Sequence, residues 1–313
     1  MLGSGGFSRV YRATQLDLER HVAIKILQPP VNITSVNAVA ERDEKLRALM
    51  SRFEREAKMV SKLKCPHTIT MYDYGQTEDG QLFMSLEFVD GLTLTDLLKK
   101  EGALEPDRVA KIMRQVLMSL YEAHQYGMLH RDIKPQNIMV YEHFGMKDQV
   151  KLLDFGIARD LAGPSVTTTG VAPGTALYMA PEQATRSKAV GPAAAVWAMG
   201  VMLYEVLSGQ LPREGETMRQ WLRALFTQEA APLRELNPRI PKKISVLIDR
   251  MIAIEPEERP GSMGEILAIV EGNETVSAVL NPKPKLPAWT WQRALAPLMD
   301  ALTRRIPHEI RPG

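Results

Sequence analysis

His130-Arg131-Asp132-Ile133-Lys134-Pro135-Gln136-Asn137 is the stretch on which the reading of this chain turns. It places three chemical capacities close together. Asp132 is a carboxylate that can take a proton from a hydroxyl nucleophile, and Asn137 offers a hard oxygen of the kind Mg²⁺ accepts. Lys134, between them, is a cation able to neutralise a phosphoryl group in transit.

Outward from this stretch, further segments carry matching chemistry. Leu153-Asp154-Phe155-Gly156 ends an apolar run with a second carboxylate, which could hold another face of the same metal. Near the start, Gly3-Ser4-Gly5-Gly6-Phe7-Ser8-Arg9-Val10 can form a tight strand–turn–strand over a nucleotide, because glycine lets backbone N–H groups approach phosphate oxygens. Val22-Ala23-Ile24-Lys25 then supplies a lysine from a strand. In this order the segments resemble the phosphate loop, lysine strand, catalytic loop and Asp-Phe-Gly segment of eukaryotic-type (Hanks-type) Ser/Thr protein kinases, closest to the bacterial branch. One such motif is weak evidence; several in the right order are specific. The resemblance covers roughly residues 1 to 272.

The resemblance implies an α+β, bilobal protein-kinase fold: a small antiparallel-sheet N-lobe, its first strand truncated, and a larger helical C-lobe. It implies ATP and Mg²⁺ at the site, with Mn²⁺ as another possible ion, and proteins as substrates. Its catalytic set carries over as Asp132, Lys134, Lys25 and Glu56. Asp132 would orient the acceptor hydroxyl and take its proton, Lys134 would offset charge on the moving group, and Lys25 would fix the α- and β-phosphates. Glu56 would orient the Lys25 ammonium; Glu54 is the fallback, on a different helix face. Leu2, Gly3, Ser4, Gly5, Gly6, Val10, Ala23, Lys25, Glu87 and Val89 would line the ATP site, Leu86-Glu87-Phe88-Val89 resembling the hinge between lobes. Asn137 and Asp154 would hold the metal.

Lys134-Pro135 after Asp132 resembles the Ser/Thr-directed kinases. Thr167, Thr168 and Thr169 would be the phosphate acceptors of an activation segment, with Arg131 as a partner for that phosphate. Thr175 would lie beside Asp132. Glu182 of Ala180-Pro181-Glu182 would form a structural ion pair with Arg259. The expected activity is transfer of the ATP γ-phosphoryl group to protein Ser/Thr hydroxyls, with activation-segment autophosphorylation. The alternative is a pseudokinase, an ATP-binding scaffold signalling through a partner.

Three departures from the family pattern stand out. Ser8 occupies the place of the third glycine of the phosphate loop, and only Met1 and Leu2 precede that loop. In Gly191-Pro192-Ala193-Ala194-Ala195-Val196-Trp197, Ala195 stands where the family usually carries an aspartate that accepts hydrogen bonds from the catalytic-loop backbone. Loss of a buried acceptor costs about 1–3 kcal/mol unless water replaces it.

Bulk properties agree with a soluble enzyme. The 313 residues are 45% hydrophobic and 24% charged, enough for two domains or one two-lobed enzyme. A formal charge of +2 is too small to argue for nucleic acid or an anionic membrane. The single cysteine, Cys65, excludes an intrachain disulfide and fits a reducing compartment. Met1-Leu2-Gly3-Ser4-Gly5 shows no signal peptide, and the longest apolar run, Ala193 to Leu203, is too short to span a bilayer. A cytoplasmic protein without transmembrane segments is expected.

Patterning along the chain predicts a strand at Val22–Leu27, then a polar stretch entering a helix that carries Leu46, Leu49, Met50 and Phe53. Thr68–Tyr74 and Leu82–Phe88 read as strands around Glu78-Asp79-Gly80. Helices are predicted at Leu94–Lys100, Glu105–Tyr126, Ala193–Ser208, Met218–Phe226, Ile244–Ile252 and Met263–Glu271. The expected organisation is an N-lobe at 1–89, a C-lobe at 90–272 and a tail at 273–313. That tail is proline-containing, then amphipathic with Trp289, Trp291, Arg293, Arg304 and Arg305, and would dock on the kinase body or a partner.

Overall fold

Alternation near the start of the chain closes into a five-stranded antiparallel sheet in the order β1-β2-β3-β5-β4. These strands are β1 (Gly3–Gly5), β2 (Ser8–Gln15), β3 (Arg20–Leu27), β4 (Met71–Gln76) and β5 (Leu82–Glu87), and helix α1 (Val39–Val60) lies between β3 and β4 in sequence. The computed structural model describes residues 1–5, 8–27, 39–155, 176–185 and 191–272. Gly6, Thr167, Thr168, Thr169, Thr175 and the tail at 273–313 lie outside the described residues, as does the side chain of Glu56.

Strand β3 sits between β2 and β5, with Lys25 opposite Val10 on one side and Met84 on the other. Side chains two apart share a face, so Lys25 is buried with Ala23 and Leu27. The lysine therefore starts from the middle of the sheet. β1 pairs Gly3 with Val10 and Gly5 with Ser8, giving the two strands that the glycine run predicts, while Gly6 and Phe7 between them lie outside the described residues. Phe53, Ala57 and Val60 form the buried face of α1, and Phe53 meets Tyr74 of β4 edge-on at 5.9 Å.

A second sheet, β6-β7-β8, consists of β6 (Gly91–Thr93), β7 (Ile138–His143) and β8 (Met146–Leu152). Sequence patterning assigns no strand here. The hairpin turn is Phe144-Gly145, with φ of 46° and 79°, so the two positive-φ positions of a primed turn are filled without the usual Asn-Gly signal. Gly91 is required for close approach: a Cβ there would lie 2.5 Å from the Val140 carbonyl oxygen. β4 also starts at Met71 rather than Thr68; Thr68 instead makes a parallel bridge to Leu152.

The helices are α2 (Leu94–Glu101), α3 (Pro106–Gln125), α4 (Pro181–Thr185), α5 (Pro192–Ser208), α6 (Met218–Thr227), α7 (Leu233–Leu236), α8 (Lys242–Met251) and α9 (Met263–Glu271). Thr93 caps α2, its Oγ1 accepting the Asp96 N–H at 3.1 Å, and Thr217 with Gln220 forms a capping box on α6. Helix α5 is buried on nearly every side, which is why Ala193 to Leu203 is a continuous apolar run. No helix among the described residues is long and apolar enough to cross a membrane.

The sheet of the small lobe is fastened to the helical lobe by the segment before β4. Glu122 of α3 accepts the N–H groups of Lys64 and Cys65 at 2.9 and 2.8 Å. The Thr68 and Ser119 hydroxyls lie 2.6 Å apart, and Leu152 exchanges backbone hydrogen bonds with His67 and Ile69.

Candidate active site

The loop of residues 130–137 runs between α3 and β7, and Asp154 lies two residues after β8, so strand pairing brings both to one place. Leu153 is the fastener. Its N–H donates to the Asn137 carbonyl at 2.8 Å, and its carbonyl accepts from His130 Nε2 at 2.7 Å. His130 is fully buried, 4.9 Å from the Phe155 ring, and burial holds its pKa below the usual histidine value. In the neutral ring, the hydrogen on Nε2 goes to Leu153 and Nδ1 is left as an acceptor. The Asp132 N–H meets that Nδ1 at 3.4 Å and the His130 carbonyl at 2.8 Å.

Asp132 Oδ2 accepts from Lys134 Nζ at 2.8 Å and from Asn137 Nδ2 at 3.0 Å; the same amide nitrogen donates to the Asp132 carbonyl at 2.7 Å. Lys25 Nζ donates to Asp154 Oδ1 at 2.5 Å. Arg131 and Asp154 hold φ of 59° and 51°, a left-handed conformation that persists in non-glycine residues where surrounding bonds over-determine it. Here those bonds are the ones made by His130, Leu153 and Asn137.

The donor set fits a small hard cation. With its amide nitrogen engaged by Asp132, Asn137 has its oxygen left for a metal, and the Asp154 side chain is 38% exposed. Among the described residues no three His, Cys, Asp or Glu side chains group into a metal cage. Two protein oxygens without a cage suit Mg²⁺, which keeps waters and completes its shell with substrate phosphate oxygens.

The remaining candidate residues fall around this centre. The Leu2 N–H donates to the Val10 carbonyl at 2.8 Å, extending the β1–β2 pairing through Gly3, Ser4 and Gly5. Ala23 lies opposite Leu86, and Val89 is half-buried in the connector after β5. The Glu87 carboxylate is engaged by Lys151 Nζ at 2.8 Å, which leaves main chain as what this position can offer a ligand. Glu54 is exposed, and the side chain of Glu56 lies outside the described residues.

Residues 1–269 match the protein kinase domain family. The chain belongs to the protein kinase family. It is 36% identical over 304 residues to the serine/threonine-protein kinase pkn3 of Myxococcus xanthus, covering 95% of this chain and 53% of that one. PknD of Mycobacterium tuberculosis is 36% identical over 267 residues, covering 85% of this chain and 38% of the relative. PrkC of Bacillus subtilis is 34% identical over 259 residues, covering 83% and 37%. The chain thus spans about half or less of the length of these curated relatives. A solved structure of Rad53 residues 1–466 with AMP-PNP superposes with a TM-score of 0.66 at 25% identity, covering 85% of this chain and 62% of that one.

Away from the catalytic loop, the kinase fold brings Glu182 and Arg259 together in a bidentate pair at 2.7 and 2.9 Å. The remaining Arg259 N–H groups donate to the carbonyls of Ala193, Ala253 and Ile254, so all five guanidinium hydrogens have acceptors. Sequence reasoning missed Arg213, which is also buried. Both guanidiniums lie over the Trp197 ring, 5.0 Å away for Arg213 and 4.9 Å for Arg259. Arg213 donates from Nε to the Gln228 carbonyl at 3.1 Å, but its Nη1 has no acceptor among the described residues. Burial, reinforced by the neighbouring Arg259 charge, pushes its pKa down to about 10. Ala195, buried in α5, faces the catalytic loop across a small cavity.

Proposed function

We propose that the chain is a Ser/Thr protein kinase that transfers the γ-phosphoryl group of ATP to hydroxyls of proteins. One observation carries this reading: Asp132, Lys134 and Asn137 are hydrogen-bonded as a unit, and Leu153 clasps that unit to Asp154, which Lys25 reaches from the sheet. The names of the bacterial relatives support it, and AMP-PNP on the Rad53 structure supports ATP as donor. Use of ATP favours action in the cytoplasm.

In this reading the β1–β2 turn, with Leu2, Gly3, Ser4, Gly5, Gly6 and Val10, covers the nucleotide, while Ala23 and the main chain of Glu87 and Val89 hold the base. Lys25 moves from Asp154 to the α- and β-phosphates and is steadied by Glu56. Asp132 takes the proton of the acceptor hydroxyl as its oxygen attacks the γ-phosphorus and the bond to ADP breaks. Lys134 Nζ offsets charge on the group in transit. Mg²⁺, held by Asn137 and Asp154, would supply charge neutralisation between the β- and γ-phosphates. Catalysis of this kind is positioning plus electrostatics. Thr175 helps place the acceptor, and Thr167 to Thr169 are the self-modified sites.

The test is incubation with Mg²⁺ and ATP beside an Asp132→Asn variant, with phosphosites mapped by mass spectrometry. The wild type is expected to carry phosphate on Thr167–Thr169. The variant should lose about 10²–10⁴-fold in rate, the usual contribution of a positioned base, while its nucleotide-dependent melting shift persists. Equal transfer by the variant would sink the assignment of Asp132.

A further inference from the structure

Two consecutive residues at the end of β5 are anchored to different lobes. The Glu87 carboxylate accepts from Lys151 Nζ of β8 at 2.8 Å, across the boundary between the lobes. Its Oε2 also accepts the Thr70 N–H at 3.3 Å, while the Glu87 N–H donates to the Thr70 carbonyl at 2.8 Å. Lys151 is buried, and a buried ammonium left without its counter-charge is costly. Glu87 supplies that charge from the neighbouring lobe.

Phe88, the next residue, is anchored on the small lobe. The Arg12 guanidinium of β2 lies 4.7 Å from the centre of its ring, and the His21 ring of β3 meets it edge-on at 6.1 Å. Arg12 stands opposite Ala23, and His21 precedes Ala23 by two, so both lie on the sheet face that carries Ala23 and Lys25. The stretch between these anchors is the main chain proposed above to hold the nucleotide base. A segment that must be ordered on binding lowers affinity, and one held beforehand does not.

We infer that Lys151 and Phe88 are positioning residues for the nucleotide: Lys151 staples the connector to the large lobe, Phe88 staples it to the small one, and together they keep residues 87–89 preformed for the base. The inference rests on the proposed ATP site. Neither side chain need touch the nucleotide. A staple holds only while both ends are fixed, so loss of either anchor frees the same stretch of main chain.

The test compares the wild type with Lys151→Met, Phe88→Leu and the double variant, and with the conservative Lys151→Arg and Phe88→Tyr. Each is read by kcat and KM for ATP, by the Kd for ATP from calorimetry, and by amide exchange of residues 88–90. Lys151→Met is expected to raise KM and Kd about tenfold, the equivalent of one charge-assisted hydrogen bond. Phe88→Leu should raise them about two- to fivefold, as loss of an exposed cation–π contact does. In both, kcat at saturating ATP should stay near wild type and the connector amides should exchange faster. Lys151→Arg and Phe88→Tyr keep the charge and the ring, so both should bind ATP as the wild type does. The double variant should be little worse than Lys151→Met alone. If Lys151→Met does not fold, Lys151→Gln takes its place. Single variants with wild-type KM and exchange would overturn the staple. So would a double variant whose KM rises by the product of the two, the mark of independent contacts. A wild type that binds ATP but transfers no phosphate would count against the kinase reading alone, since the Kd still reads the staple; one that binds no ATP would overturn the staple as well.

Discussion

Arg259 and Arg213 share the Trp197 ring but have opposite energetic standing. Every N–H of Arg259 is satisfied, two of them by Glu182. Removing one partner of a buried pair strands the other, so Arg259→Met should destabilise the fold by about 3–5 kcal/mol in urea unfolding. Arg213 keeps a buried Nη1 without an acceptor among the described residues. Arg213→Met preserves packing on the indole and removes that unsatisfied donor but also loses the Nε bond to the Gln228 carbonyl, so the net stabilisation should be only about 1 kcal/mol. A shift of 1 kcal/mol moves Tm by about 2–4 °C in a domain of this size, so melting curves separate the two signs. The difference in legibility is physical. Glu182 and Arg259 lie in short motifs that resemble a known family, whereas Pro212-Arg213-Glu214-Gly215-Glu216 is a polar run that reads as exposed loop. Nothing in residue order says that the fold closes over this arginine.

Among the elements, the longer helices announced themselves, whereas the short α4 and α7 and the second sheet did not. Period, caps and length suffice for α3, α5 and α9, where predicted and observed bounds differ by at most one residue. β7 and β8 depend on the Phe144-Gly145 turn and on β6, a three-residue strand that makes sense only once paired. The clasp at Leu153 was equally hidden, because its two bonds involve main-chain atoms that any residue carries. Side-chain chemistry was readable; the backbone that aims it was not. Gly91 gives a test at this scale. A Cβ placed 2.5 Å from Val140 O must push β6 from β7, so Gly91→Ala should cost about 1–3 kcal/mol of stability, the usual range for overpacking. Because β6 follows the connector that contains Val89, the same variant should raise KM for ATP in a transfer assay.

For the whole molecule, one buried histidine, His130, and two half-buried ones, His67 and His124, weaken stability toward acid. Burial lowers the pKa of His67, His124 and His130. Below an unfolded value near 6.5 the unfolded chain binds protons that the folded one refuses, so stability falls as pH drops from about 6.5 toward the folded values. Glu205 and Asp249, whose pKa values burial raises, act with the opposite sign: they favour the folded state as pH falls. The histidine contribution is isolated by difference. His130→Gln keeps a donor for the Leu153 carbonyl without a titrating ring, so its melting temperature should fall less steeply than wild type between pH 6.5 and about 5.5. Equal slopes would show that His130 protonates as readily folded as unfolded.

The small lobe is attached to the large one at two places, by the hydrogen-bonded stretch ending in Thr68–Ile69 and by the connector after Glu87. The first attachment is pinned to α3 and β8 by Glu122, Ser119 and Leu152. A body tied to another at two points keeps one easy degree of freedom, rotation about the line that joins them. The small lobe is therefore hung like a door rather than a pendulum. Rotation about that line would carry Lys25 toward or away from Asp154, and both attachments would resist sliding.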